Sequence, residues 1–185
     1  MLRCALLHAD TYEEVEADRR SIGQAASVVL LAASSAAAGA WLETFTWHAA
    51  QASSRLGLTL EMAARAIEPL AFWLGGAAFA YMVGSSFFRG EETETDYAEV
   101  LRTTGFAFAP GLLSFLAFLP PAAFGLSVVW TLRLWMVVTV MIAVRQALDF
   151  TTARAIGTVT VGWVLGWLVM WGIVSVSVQA TTLLG

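Results

Sequence analysis

Residues 125–146 read Gly-Leu-Ser-Val-Val-Trp-Thr-Leu-Arg-Leu-Trp-Met-Val-Val-Thr-Val-Met-Ile-Ala-Val-Arg-Gln, with Arg133 the one charge before Arg145. The apolar residues here follow neither a strand alternation nor a helical stripe; they form a block. A block of about twenty such residues is the length of a helix that crosses a hydrocarbon core of roughly 30 Å. Similar blocks lie at about 22–42, 69–88, 104–120 and 155–179. The chain therefore reads as all-α: a polytopic membrane bundle of five transmembrane helices, residues 22–185, with interfacial amphipathic helices.

Composition agrees. Of 185 residues, 58% are hydrophobic and 13% charged, with a mean hydropathy of +0.72. A soluble domain carries about 25% charged residues. The net charge of −4 and the pI near 5.1 exclude nucleic acid as a partner, since that needs a basic face. Cys4 is the single cysteine, so no internal disulfide and no paired thiolate metal site is available.

The segments between the blocks give the organisation. Asp10, Glu13, Glu14, Glu16 and Asp18 precede any long apolar run, which does not fit a cleavable signal peptide. Thr11 and Glu14 have capping-box spacing. Residues 1–21 are thus expected as a cytoplasmic N-terminal interfacial helix, with Tyr12, Val15, Arg19 and Ile22 on one face. Trp41 closes the first block at headgroup level. Residues 43–68 mix Glu43, His48, Arg55, Glu61, Arg65 and Glu68 with apolar positions, as in a helix lying on the membrane. Pro69 then suits the first turn of the next span, where its missing N–H is harmless. Pro110 lies inside the third block, and Pro120-Pro121 stops it. A link with Arg145, Asp149 and Arg154 joins the last two spans, with Asp149 placed to pair with Arg145 at i, i+4.

Arginine placement orients the chain. With the N-terminus inside, Arg3, Arg19, Arg20, Arg89, Arg102, Arg145 and Arg154 are cytoplasmic, against Arg55 and Arg65 outside. Seven against two favours N-in and C-out, because the rule counts basic residues and not net charge.

Catalytic groups are scarce. His8 and His48 are the only histidines, and neither falls in an apolar block. A metal site within a bundle needs inward carboxylates and histidines at i, i+3 or i+4. Hydrolysis within the membrane needs a nucleophile with a base at its own depth, and Ser85 and Ser86 have none nearby in sequence. The chain is expected not to be an enzyme and to carry no cofactor.

Arg133 is an ionisable residue within a span, a functional candidate by position. The plainer reading is a side chain that snorkels outward or pairs with Glu43 or Glu68. The functional reading is an anion or lipid-headgroup contact in a small transporter, channel component or lipid-handling protein. Small residues form stripes: Ala36, Gly39 and Ala40 in the first span, Gly76, Ala80 and Gly84 in the second, Gly162 and Gly166 in the fifth. They allow close helix approach, either inside the bundle or between chains. Trp163, Trp167 and Trp171 repeat at i, i+4, i+8 and make a ridge of about 12 Å. It would meet lipid, core, another subunit or a hydrophobic cofactor, although no evident ligand for a pigment or haem accompanies it.

Two longer stretches carry a resemblance. Residues 97–110 read Tyr-Ala-Glu-Val-Leu-Arg-Thr-Thr-Gly-Phe-Ala-Phe-Ala-Pro, and 143–155 read Ala-Val-Arg-Gln-Ala-Leu-Asp-Phe-Thr-Thr-Ala-Arg-Ala. With the opening Thr11-Tyr-Glu-Glu-Val-Glu-Ala-Asp18, they resemble the bacterial branch of the Yip-domain family. In that pattern Leu101 and Arg102 precede a Gly105-aromatic-alanine segment ending at Pro110, and a loop led by Arg145 and containing Arg154 joins the last spans. The resemblance implies five spans with the N-terminus inside. Eukaryotic members resemble scaffolds that bind small GTPases and shape or sort membranes. Their aspartate-leucine-tyrosine-glycine-proline signature is absent here, so GTPase binding is not carried over. The resulting expectation is a non-catalytic scaffold or accessory subunit in a bacterial inner membrane, with lipids, other membrane subunits or further copies of itself as partners.

Overall fold

The computed structural model describes residues 19–47, 55–87, 96–119, 126–162 and 164–165. After a 3-10 turn at Arg19–Ser21 come helices α1 (Ile22–Trp47), α2 (Arg55–Phe87) and α3 (Tyr97–Ala107), then a 3-10 helix (Ala109–Phe118) and α4 (Leu126–Ala147). A last helix, α5, is described over 152–162 and 164–165. Ile22–Thr46, Met62–Ser86 and Val128–Ala147 are long and apolar enough to cross a membrane. The pair of α3 and the 3-10 helix, bent by 42°, makes a fourth if counted as one span. Among the described residues the count is three or four, against the five expected; most of 155–179 lies outside them. The Thr11–Glu14 capping box and the rest of the expected interfacial helix at 1–18 also lie outside, and Arg19–Ser21 form only the 3-10 turn.

α1 turns its small residues inward. Ala25, Val28, Val29, Ala32, Ala33 and Ala40 are buried, whereas Leu30 and Leu31 are exposed. This inversion is expected in lipid, where large apolar side chains gain nothing by burial and small ones let backbones approach. Exposed serines close on their own helix: Ser27 Oγ donates to Gly23 O and Ser34 Oγ to Leu30 O, each at 2.8 Å. The helix runs past the expected end at residue 42 because nothing in Glu43-Thr-Phe-Thr-Trp47 breaks it. Trp41 and Phe45 stack there, ring centroids 5.5 Å apart.

α2 differs from expectation. A surface helix ending at Glu68 and a new span starting at Pro69 are replaced by one helix of 33 residues with Pro69 inside. The physical reason is the cost of the alternative. An interior proline removes one helical hydrogen bond. A helix end at that depth would leave up to four N–H and four C=O groups without partners in an apolar medium.

The third apolar block differs in the opposite sense. It is not a straight span over 104–120. Asp96 caps α3, accepting from Glu99 N at 2.8 Å, while Glu99 Oε2 accepts from Asp96 N at 3.2 Å. The α-helix stops at Ala107, and a 3-10 helix of ten residues follows, with Pro110 near its start. Pro110 has no N–H to offer Phe106 and its ring crowds that carbonyl, so the α ladder cannot continue.

α4 ends in a tight cap. Asp149 takes a left-handed φ of 49°, Phe150 N donates to Arg145 O at 2.9 Å and Asp149 N to Gln146 O at 3.1 Å. This is the Schellman pattern, with aspartate where glycine is usual. Asp149 thus serves the turn through its backbone, and no ion pair with Arg145 forms among the described residues.

Contacts order the helices. A Cβ built on Gly105 would meet Ala25, one on Gly111 would meet Ala32, and one on Gly39 would meet Ser114 and Phe115. The α3–3-10 unit therefore runs beside α1 in the same direction. α4 runs against it, with Thr139 at Ala107 and Met136 at Gly111. α2 runs parallel to α4, since Glu68 faces Arg133 and Gly84 faces Leu148. Two buried clusters result. One gathers Ala25, Val29, Ala32, Trp73, Phe106 and Ala143 around the bend. The other gathers Ala77, Ala80, Val100, Val144, Leu148 and Phe150 toward the loop after α4.

Candidate functional site

The bend between α3 and the 3-10 helix is the least generic part of the bundle. Every residue from Arg102 to Gly111 is buried. A helix interrupted in the apolar core exposes carbonyls and N–H groups that lipid cannot satisfy, so they must find protein partners. Phe108 N donates to Gly105 O at 3.3 Å and Gly111 N to Phe108 O at 2.8 Å. Carbonyls still inside the α3 ladder take a second donor: Trp73 Nε1 on α2 donates to Leu101 O at 2.8 Å, Thr103 Oγ1 lies 3.0 Å from Glu99 O, and Thr104 Oγ1 lies 2.6 Å from Val100 O. Thr139 Oγ1 on α4 lies 2.8 Å from both Ala107 O and Met136 O, one proton serving the two. On the far side of the bend, Ser35 Oγ on α1 donates to Leu112 O at 2.8 Å and accepts from Phe115 N at 3.0 Å. Those are the two groups that a 3-10 turn would join directly. One hydroxyl thus spans a rung of the ladder.

Close approach makes this possible. A Cβ on Gly105 would lie 2.7 Å from Ala25 Cβ and 3.0 Å from Trp73 Nε1. A Cβ on Gly39 would lie 2.7 Å from Ser114 O. Both positions need glycine because a neighbouring helix occupies the space a side chain would take.

The Leu101, Arg102, Gly105 and Pro110 pattern therefore converges on the bend. Arg102, counted in sequence with the other cytoplasmic arginines, is 7% exposed; α3 carries it into the bundle. Arg145 and Arg154 are exposed. The structure thus separates the two arginine sets that sequence treats alike.

The Yip1 domain matches residues 6–174, nearly the whole chain. The chain belongs to the Yip1 domain family. It is accordingly a membrane protein, and the family is not a known enzyme family. No curated protein and no solved structure matches it. In this Yip1 domain Leu101 and Gly105 of the motif meet Trp73 of α2, and Gly105 also meets Ala25 of α1. Among the described residues no three His, Cys, Asp or Glu side chains are placed to hold a metal ion.

Other expected positions fall as follows. Gly84 takes Leu148 against its backbone, and Gly162 faces Phe79, where a Cβ would lie 3.2 Å from the ring. Gly76 meets nothing within 4 Å, and the buried stripe of α2 is instead Trp73, Ala77, Ala80 and Gly84. Trp163, Gly166, Trp167 and Trp171 lie outside the described residues. Arg133 is placed beside Glu68, with Nη2 to Oε1 at 3.9 Å and both side chains about half exposed. Sequence reading named neither Ser35, Thr139, Trp73 nor the Asp96–Glu99 cap. The signal for the first two was a hydroxyl on the small-residue face of a span, in a chain where Pro110 creates orphan backbone groups.

Proposed function

We propose that this Yip1-domain protein is a non-catalytic integral membrane scaffold or accessory subunit of a larger assembly. In this reading it lies in a bacterial cytoplasmic membrane with five spans, the N-terminus inside and the C-terminus outside. The supporting observation is where its polar and small residues go. The motif groups Gly105 and Pro110 are used in holding the chain's own broken span. The Gly75–Gly76 face of α2 meets nothing among the described residues, and only 22% of the α2 span is buried. In lipid such a face gains most from another helix at close range. Extraction in native lipid followed by native mass spectrometry tests this. A homo-oligomer or a reproducible complex is expected, and a strictly monomeric, partnerless chain overturns it.

A second reading, a small transporter or channel component, draws on Arg133 beside Glu68. Replacing Arg133 by Leu discriminates: unchanged flux in reconstituted vesicles removes the transport reading.

A further inference from the structure

Glu68 and Arg133 lie at matching depth. Glu68 is six residues into Met62–Ser86 and Arg133 five residues into Val128–Ala147, about 9 and 7.5 Å along helices that run in parallel. Their closest atoms are 3.9 Å apart, beyond hydrogen-bond distance. Side-chain exposures of 49% and 45% leave both charged groups partly open to the outside, with more donors and acceptors than their one long contact uses. The surface around them is largely apolar and outward: Ile67 is 59% exposed, Phe72 40%, Trp130 58% and Leu134 68%, with Arg65 and Thr131 its exposed polar neighbours. An opposite-charge pair, open and unlatched within a lipid-facing wall, matches a ligand with both charges and an apolar tail.

We propose that Glu68 and Arg133 form a seat for the headgroup of a zwitterionic phospholipid bearing a primary ammonium. Arg133 takes the phosphate through two parallel N–H donors, and Glu68 accepts from the ammonium. The acyl chains lie along Phe72, Trp130 and Leu134. Charge complementarity selects this occupant. A free phosphate or an anionic headgroup faces repulsion from Glu68, and a choline headgroup has no N–H to donate. The seat gives the Arg133 reading a lipid ligand and leaves the scaffold reading untouched, since it requires no protein partner.

The test uses the full chain in nanodiscs of phosphatidylcholine doped with phosphatidylethanolamine or phosphatidylglycerol. Lipid retained by the released protein is counted by native mass spectrometry. Phosphatidylethanolamine should be retained over phosphatidylcholine by about tenfold, the worth of one charge-assisted hydrogen bond. Glu68→Gln should bring phosphatidylethanolamine down to the phosphatidylcholine level. Arg133→Gln should lower retention of both. Equal retention of phosphatidylethanolamine and phosphatidylcholine by the wild type overturns the proposal without any variant. So does a wild-type preference for phosphatidylglycerol, or a phosphatidylethanolamine preference that survives Glu68→Gln.

Discussion

Pro69 and Pro110 both interrupt apolar stretches, yet α2 passes through the first and α3 ends before the second. Pro69 lies half-buried on a helix whose flanks, Ile67, Glu68, Ala71 and Phe72, are exposed. A helix end there would release its groups toward an exposed surface. The helix continues, and one missing hydrogen bond is the smaller loss. Pro110 is fully buried, with α1 and α4 close by to receive freed groups through Ser35 and Thr139. Irregular backbone at membrane depth is tolerated where protein surrounds it, and the two prolines divide on that condition.

The largest effect comes from denying the bend its enclosure. Gly105→Val drives a side chain into Ala25 and the Trp73 indole and should cost about 3 kcal/mol, read from unfolding in mixed detergent micelles. Gly76→Val on the continuous helix meets open space and should stay within about 0.5 kcal/mol. Equal losses at the two positions would erase the contrast between the regions. Ser35→Ala is milder. It leaves Leu112 O and Phe115 N without the bridging hydroxyl and should cost about 1–2 kcal/mol. Amide exchange at Phe115 should quicken with it, whereas Ser34→Ala, on the lipid face, should leave both readouts unchanged. Smallest is the third kind of helix end, the left-handed cap. Asp149→Gly relieves the φ of 49° and should raise stability by about 0.5 kcal/mol, seen as a slightly higher melting temperature.

Hydropathy blocks made α1 and α4 legible, because an apolar run of span length leaves the backbone little choice but helix. Pro69 was misread because a first-turn position suits proline in isolation. What weighs against that position is the depth of Glu68 and Pro69 within the Met62–Ser86 stretch. Gly76 stayed open between a contact inside the bundle and one between chains for a rotational reason. One residue turns a helix by about 100°, so a stripe beginning at Gly76 and one beginning at Ala77 point to different neighbours. Small residues alone do not say which. Arg102 and Arg145 look alike as charges near span ends, and only the packing of α3 between other helices buries the first. Ser35 gives least warning of all. Its role is set by residues 77 positions further along the chain.

The long 3-10 stretch after Phe108 has a consequence for reach. A bend of 42° shortens the projection of the second half on the axis of the first by about a quarter. A 3-10 helix rises about 2.0 Å per residue where an α-helix rises about 1.5 Å, which lengthens that half by about a third. The two changes nearly cancel. Eleven α residues and ten 3-10 residues then advance about 31 Å along a single direction, close to a straight α-helix of equal length and to the roughly 30 Å of a hydrocarbon core. Counted as one span, the pair turns aside at the bend and keeps the reach of a straight helix.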